Sequence, residues 1–202
     1  SEVSIPDSVT NMQHRVFSYC SSLSRVKLSN SLTKIPYGTF EFCESLTSIT
    51  IPSSVTTIEH EAFTDCKSLE EAKLSNSMNR TGDSTFAACR NLTSVTIPNS
   101  VTEIGGDTFF ACESLTSIKI PDGVTTIEPH VFWGCENLKE VTIPSGVKLI
   151  DNGLFSECSS LTKVTIPNTV KSIGAEAFKD CVSLKEVTIP SSVKEISENA
   201  FN

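Results

Sequence analysis

Hydrophobic and polar positions recur along this chain every 23 residues, with no insertion or deletion from end to end. The repeated pattern is A-F-x-x-C-x-x-L-x-x-[VI]-x-I-P-x-[SG]-V-x-x-I, and it is clearest at residues 177–196. Within one copy, Ile49 and Ile51 alternate with Ser48, which is the period-2 pattern of a half-buried strand. Pro52 ends this predicted strand because proline cannot donate a backbone hydrogen bond to a sheet.

The second half of each copy holds a further apolar pair and then an aromatic segment. Val55 and Ile58 predict a short extended segment on the other side of a coil. The following A-F-x-x-C segment predicts a tight helical or 3-10 turn. One aromatic column runs through all copies, made of Phe17, Phe40, Phe63, Phe86, Phe109, Phe132, Phe155, Phe178 and Phe201.

A single copy could not bury these apolar faces, so neighbouring copies must stack to close the core. A period of 20–29 residues with an L-x-x-V-x-I core is typical of a leucine-rich-repeat solenoid. We predict that residues 1–202 form one such domain of about eight to nine repeats. The expected fold is an α/β-type repeat solenoid, mostly β with short 3-10 or helical turns, coiled right-handed with a parallel sheet on one face.

One copy departs from the consensus and is predicted to be the weakest repeat. From Leu69 onward, Ala72 replaces Val or Ile, Ser75 replaces Pro, Met78 replaces Val and Thr81 replaces Ile. The smaller side chains bury less apolar surface, and Thr81 places a hydroxyl in a core column. We therefore expect residues 69–91 to exchange amide protons first.

All eight cysteines occupy one column of the repeat. Stacked repeats place equivalent residues about 4.7–4.9 Å apart and pointing the same way, whereas a disulfide requires converging Cβ atoms about 3.8 Å apart. Zinc requires thiolates that converge from several directions. The column therefore indicates buried free thiols that fill apolar space, with oxidised neighbours or adventitious metal as alternatives.

Charge and hydropathy exclude several classes of partner. The net charge is -8 and the sequence pI is near 4.9, which disfavours nucleic acid and anionic membranes. No apolar run approaches the ~20 residues that a membrane span requires, so we expect no membrane insertion. Polar residues are spread by column rather than gathered around a unique loop, so we predict no enzyme, no catalytic residue, no metal and no cofactor.

The repeat L-x-x-[VI]-x-I-P-x-[SG]-V-x-x-I-x-x-x-[AVT]-F-x-x-C resembles the BspA-type class of leucine-rich repeats over essentially the whole chain. The resemblance implies a surface-exposed or secreted protein of host-associated microbes, with a role in adhesion to host matrix proteins, cells or glycans. The alternative is a structural spacer or self-assembling scaffold. Neither terminus carries an evident capping repeat. Self-association through end-to-end stacking of the uncapped repeats therefore belongs to this alternative.

The strand columns that project outward are one candidate binding surface. They are rich in hydroxyls and mixed in charge, and either a solvated sheet or a broad polar surface for protein or glycan fits this composition. The candidate residues on this surface are Thr50, Thr96, Lys119, Thr142, Thr165 and Thr188.

Four aromatic residues outside the Phe column form the second candidate surface. Phe110 and Trp133 share one position in successive copies, and Tyr19 and Phe42 share another. Other copies place Glu or Lys in these columns, so the columns are expected to be exposed. Adjacent exposed aromatics often mark interaction sites, although each ring could instead lie over its own turn.

Overall fold

The computed structural model describes all residues from 1 to 202 and contains fourteen short strands and no helix. The strands fall into two columns, each contributing one short strand to most turns of the solenoid. The first column consists of β1 (Glu2–Ser4), β2 (Arg25–Lys27), β4 (Ser48–Thr50), β6 (Glu71–Lys73), β7 (Ser94–Thr96), β10 (Glu140–Thr142) and β12 (Lys163–Thr165). The second column consists of β3 (Lys34–Ile35), β5 (Thr57–Ile58), β8 (Glu103–Ile104), β9 (Thr126–Ile127), β11 (Leu149–Ile150), β13 (Ser172–Ile173) and β14 (Glu195–Ile196).

Every pair of neighbouring strands is parallel, and the residues that lie opposite each other are one repeat apart in the sequence. Val141 of β10 lies opposite Val164 of β12, for example, and Ile150 of β11 lies opposite Ile173 of β13. The predicted parallel sheet is therefore confirmed, and the second member of the further apolar pair, such as Ile58, lies in a second parallel ladder in most repeats.

Both ladders are interrupted. The first column divides into β1-β2, β4-β6-β7 and β10-β12, and the second into β3-β5, β8-β9 and β11-β13-β14. Between β5 and the next copy, no backbone hydrogen bond joins residues 56–58 to residues 79–82. A groove of about 220 Å³ opens at this junction.

The prediction of helical or 3-10 turns is wrong. The segment around each core Phe is a series of turns in which the residues two before and two after the Phe have positive φ, as at Arg15 (58°) and Tyr19 (61°). A left-handed residue on both sides of the Phe breaks a helix. The amides of Arg15, Phe17 and Tyr19 instead donate to the carbonyls of residues 37, 39 and 41 in the next repeat.

This pattern of three amide donors recurs at all eight junctions between repeats. The donors are always the Phe and the residues two positions before and after it, and the acceptors lie 22 residues further along. We call this row of turns and its outward side chains the turn side, and the outward side chains of the first strand column the strand side. The turn side is hydrogen-bonded without interruption along the whole chain.

The core is one continuous apolar cluster that runs along the axis of the solenoid. The Phe rings stack at centroid distances of 5.1–6.0 Å with nearly parallel planes. Phe109 lies between Phe86 at 6.0 Å and Phe132 at 5.8 Å and is completely buried. The stack joins each interior repeat to both neighbours through its largest fully buried side chain.

The cysteines are free, as predicted, but they do more than fill space. Each thiol from Cys43 to Cys181 donates to the carbonyl oxygen of the Phe that lies 26 residues earlier, at 3.0–3.3 Å. Seven of the eight are buried, whereas Cys20 is exposed and departs from the predicted buried column.

The copy that departs from the consensus keeps its strand. Ala72 is fully buried in β6, which pairs with both neighbouring strands. The Thr81 hydroxyl is buried but satisfied, because it accepts from the amide of Gly105 at 3.0 Å and lies 3.1 Å from the Thr108 hydroxyl. The low stability of this copy stays a prediction, and the interrupted ladder at residues 79–82 supports it.

Candidate interaction surfaces

Tyr19 and Phe42 form an exposed stacked pair on the turn side. Their ring centroids are 4.6 Å apart with an interplanar angle of 11°. Tyr19 is 68% exposed and Phe42 is half-buried. Both residues have positive φ, and their amides donate to the next repeat. The backbone beneath the pair is therefore fixed, and the two rings present a firm apolar surface.

A cation–π pair that the sequence did not indicate lies in the same two repeats. The Arg15 guanidinium lies over the ring of Tyr37, 4.8 Å from its centroid. The Tyr37 hydroxyl accepts from Arg15 and donates to Glu61, each at 2.9 Å. The hydrogen bond to Glu61 raises the pKa of Tyr37. We call Arg15, Tyr19, Tyr37 and Phe42 the N-terminal patch.

Phe110 and Trp133 lie next to each other, but they form a less open pair. Their centroids are 6.3 Å apart and their planes are tilted by 52°. Phe110 is 37% exposed and Trp133 is half-buried. Trp133 also contacts His130 edge to face at a centroid distance of 5.0 Å. His130 was not among the candidate binding residues predicted from the sequence.

The expectation that the Phe110–Trp133 column is exposed throughout is wrong. Glu41, Ala87 and Ser156 occupy the same column and are buried. The carboxylate of Glu41 is held 3.3 Å from both the Arg15 guanidinium and the Ser18 hydroxyl. An ion pair thus allows a charged residue at a covered position, so the residue types in a column do not by themselves report its exposure.

All six candidate residues of the strand side are exposed, as expected. Lys119 and Thr142 line one shallow depression of about 370 Å³, and Thr165 and Thr188 line another of about 460 Å³. Thr50 and Thr96 lie on β4 and β7, with β6 between them. The strand side is therefore divided into separate depressions and strand groups and does not form one uniform binding surface.

A charged cluster lies beside the second ladder. The Arg80 guanidinium is 2.6 Å from Glu103, 3.2 Å from Glu128 and 3.1 Å from Asp83. Burial lowers the pKa of Arg80, but the three carboxylates outweigh it and the net shift is upward. This cluster bridges three repeats beside the interrupted junction. The repeat pattern did not indicate this cluster, because Arg80 and Glu103 share a column in successive copies whereas Asp83 and Glu128 occupy two others.

The His60 ring lies 3.1 Å from Asp83, but no group of three His, Cys, Asp or Glu side chains is arranged to hold a metal ion. The protein contains no helix with the length and hydropathy of a transmembrane span.

Comparison with known families gives a match over the whole chain. The profile described as the BspA type leucine rich repeat region matches residues 1–108 and 80–202, with six copies. A search of curated proteins finds no match.

Several solved structures of bacterial leucine-rich-repeat proteins are similar to this chain. A leucine rich cell surface protein from Faecalibacterium prausnitzii is 30% identical, with a TM-score of 0.69 over 100% of this chain and 70% of that one. A leucine-rich-repeat protein of T. pallidum is 28% identical, with a TM-score of 0.63 over 92% of this chain and 78% of that one.

A leucine-rich-repeat protein from Bacteroides ovatus is 25% identical, with a TM-score of 0.54 over 98% of this chain. This chain spans only 66% of the length of that structure. The three structures share the repeat architecture and extend beyond the part that matches.

Proposed function

Because this chain belongs to the BspA-type leucine-rich repeat family, we propose that it is a non-enzymatic protein-binding module at a cell surface or in secretions, acting as an adhesin or other host-interaction domain. The relative from Faecalibacterium prausnitzii is described as a cell surface protein, which supports this localisation. The partners we propose are host matrix or cell-surface proteins.

The exposed Tyr19–Phe42 stack is the observation that carries this proposal. Binding hot spots favour Tyr, Trp and Arg, and the N-terminal patch contains both tyrosines of the chain together with Arg15. Exposed apolar patches mark interaction sites. The patch is also pre-organised, because the amide of each stacked residue is hydrogen-bonded to the next repeat at 2.8 Å. Ordering the N-terminal patch when a partner binds should therefore cost little free energy.

Binding to a panel of immobilised host matrix proteins tests the proposal. The double variant Tyr19→Ala, Phe42→Ala should weaken binding to any partner found by about 30-fold or more, the effect of removing one hot spot of about 2 kcal/mol. The matched control is Thr50→Ala, Thr96→Ala on the strand side, which should bind like the parent. Thermal melting confirms that each variant folds.

Two results would contradict the proposal. If the aromatic double variant binds as tightly as the parent, the N-terminal patch is not the docking surface. If no matrix or cell-surface protein binds the parent, the weight moves to a structural spacer, and mass measurements across a concentration range then test self-association.

A further inference from the structure

A small notch opens on the turn side beside Trp133. Its volume is about 220 Å³, and three successive repeats contribute to it. The lining residues are His130, Trp133, Asn152, Gly153, Ala175 and Glu176. We call it the Trp133 notch. It lies three or more repeats from the N-terminal patch, so a ligand here is independent of the proposed protein partner.

Gly153 makes the aromatic wall of the notch possible. Its φ is +58°, and a Cβ at this position would lie 2.5 Å from His130 Cδ2 and 3.0 Å from Trp133 Cε3. The same position carries a side chain in most other copies, including Arg15, Glu61 and Asp107. Glycine at position 153 therefore allows the rings of His130 and Trp133 to pack against the backbone, where they contact each other edge to face.

The remaining walls supply hydrogen-bonding groups that the fold leaves available. The Asn152 Oδ1 accepts from the amide of Ala175 at 2.8 Å, which orients the side chain and leaves its Nδ2 donor without a protein partner. The Glu176 Oε2 accepts from Lys179 at 3.2 Å, and Oε1 has no hydrogen bond within the protein. The notch thus combines one indole, one amide donor and one carboxylate acceptor.

We propose that the Trp133 notch binds one neutral sugar residue of a glycan. A pyranose presents an apolar C–H face, which suits the indole, and hydroxyls at its rim, which suit Asn152 and Glu176. The notch is smaller than the 300–1,000 Å³ typical of sites for drug-sized ligands, as expected for a single ring. An acidic ligand is disfavoured because Glu176 lines the notch and the chain carries a net charge of -8.

Phe110 continues the apolar surface beyond the notch. Its ring centroid is 6.3 Å from that of Trp133, and it belongs to the preceding repeat. A second sugar of the same glycan would lie over Phe110. A disaccharide should therefore bind more tightly than either of its component sugars.

Tryptophan fluorescence tests the proposal directly, because Trp133 is the only tryptophan of the chain. The purified protein is titrated with a panel of neutral sugars: glucose, galactose, mannose, N-acetylglucosamine and disaccharides made from them. At the ligand efficiency typical of small molecules, a sugar of about 12 non-hydrogen atoms should give a Kd near 1 mM. We expect a saturable change in emission with at least one member of the panel.

Two glycine variants separate occupation of the notch from an effect on folding. Gly153→Ala should weaken sugar binding at least about tenfold, because the added methyl displaces both rings. Gly38→Ala occupies the equivalent position of an earlier repeat, has the same φ of +58°, and its methyl would contact Arg15 instead. It carries the same backbone strain and should bind sugar like the parent.

A charge variant separates a sugar from a cation. Glu176→Gln retains a hydrogen-bond acceptor without the charge, so sugar binding should remain within a few-fold of the parent. Tetramethylammonium serves as the comparison ligand, because a cation could also bind between an indole and a carboxylate. The proposal is overturned if no sugar gives a saturable change, if Gly153→Ala and Gly38→Ala bind equally, or if only tetramethylammonium binds.

Discussion

The turn side and the strand ladders hold the same repeats together in different ways. On the turn side, three backbone hydrogen bonds cross every one of the eight junctions, and the Phe stack runs beneath them. In the strand columns, pairing breaks into groups of two or three strands. The repeats are therefore joined continuously along the turns and only intermittently along the strands.

This difference assigns distinct physical roles to the two sides. The turn side accepts backbone strain, since fourteen residues other than glycine have positive φ, and each such residue costs about 1–2 kcal/mol. In return, three amides at each junction and the seven buried cysteine thiols donate to carbonyls of neighbouring repeats. The strand ladders carry little strain, but the interruptions leave grooves. We expect rigid platforms on the turn side and adaptable surfaces on the strand side.

Alkaline pH should produce the largest effect, and it acts on the turn side. Burial raises the pKa of Cys43, Cys135 and Cys181 to about 12, and that of four further thiols well above the ordinary value of 9. The unfolded thiols ionise first as the pH rises above 9, so stability present below that pH is lost between about 9 and 12. Each thiol should contribute up to about 1.4 kcal/mol per pH unit.

Denaturant titrations at pH 8 and 10 measure this loss. Cys112→Ala should reduce the pH dependence by about one proton, because burial raises the pKa of this thiol. A pH dependence equal to that of the parent would show that the buried thiols do not control alkaline stability.

Truncating one core side chain on each side should give the next largest difference. Phe109→Ala removes a fully buried ring from the middle of the stack and should cost ~3–5 kcal/mol. Val95→Ala removes two methyl groups from the half-buried centre of β7 and should cost about 1 kcal/mol. Thermal or denaturant unfolding gives both values, and similar losses would contradict a dominant turn side.

Replacing alanine by glycine should have opposite effects on the two sides. Ala88 has a φ of 56° on the turn side, so Ala88→Gly relieves strain and should stabilise the protein by up to about 1 kcal/mol. Ala72 lies fully buried in β6, and Ala72→Gly should destabilise the protein by about 1–2 kcal/mol. A change of the same sign at both positions in chemical denaturation would refute the strain argument.

Hydrogen exchange should reveal the smallest difference, within a single repeat and without any substitution. The amides of Asn79 and Gly82 have no hydrogen bond in the protein, whereas those of Phe86 and Ala88 donate to the next repeat at 2.9 and 2.7 Å. The amides of Asn79 and Gly82 should exchange with a near-zero opening free energy. The amides of Phe86 and Ala88 should exchange only with the free energy of global unfolding. Equal protection across residues 79–88 would show that the interrupted junction does not open locally.

Much of the fold could be predicted from the sequence because the repeat is free of gaps. The parallel register, the Phe stack and the second extended segment all follow from side chains that only stacking can bury. The turn conformation could not be predicted in this way. Residues such as Arg15 and Tyr19 have no intrinsic preference for positive φ, and they adopt it because their amides find acceptors in the next repeat.

For the candidate sites, the sequence determined which columns carry aromatics, and the tertiary structure decided what those columns do. Tyr19 and Phe42 were predicted to lie together, and they stack. Two contacts could not be read from the 23-residue pattern, because each joins residues from different columns or repeats. They are the contact of Arg15 with Tyr37 and the contact of His130 with Trp133 above Gly153. A 23-residue pattern determines what each repeat must bury, whereas contacts between side chains of neighbouring repeats depend on exposure and rotamers that exist only once the stack has formed.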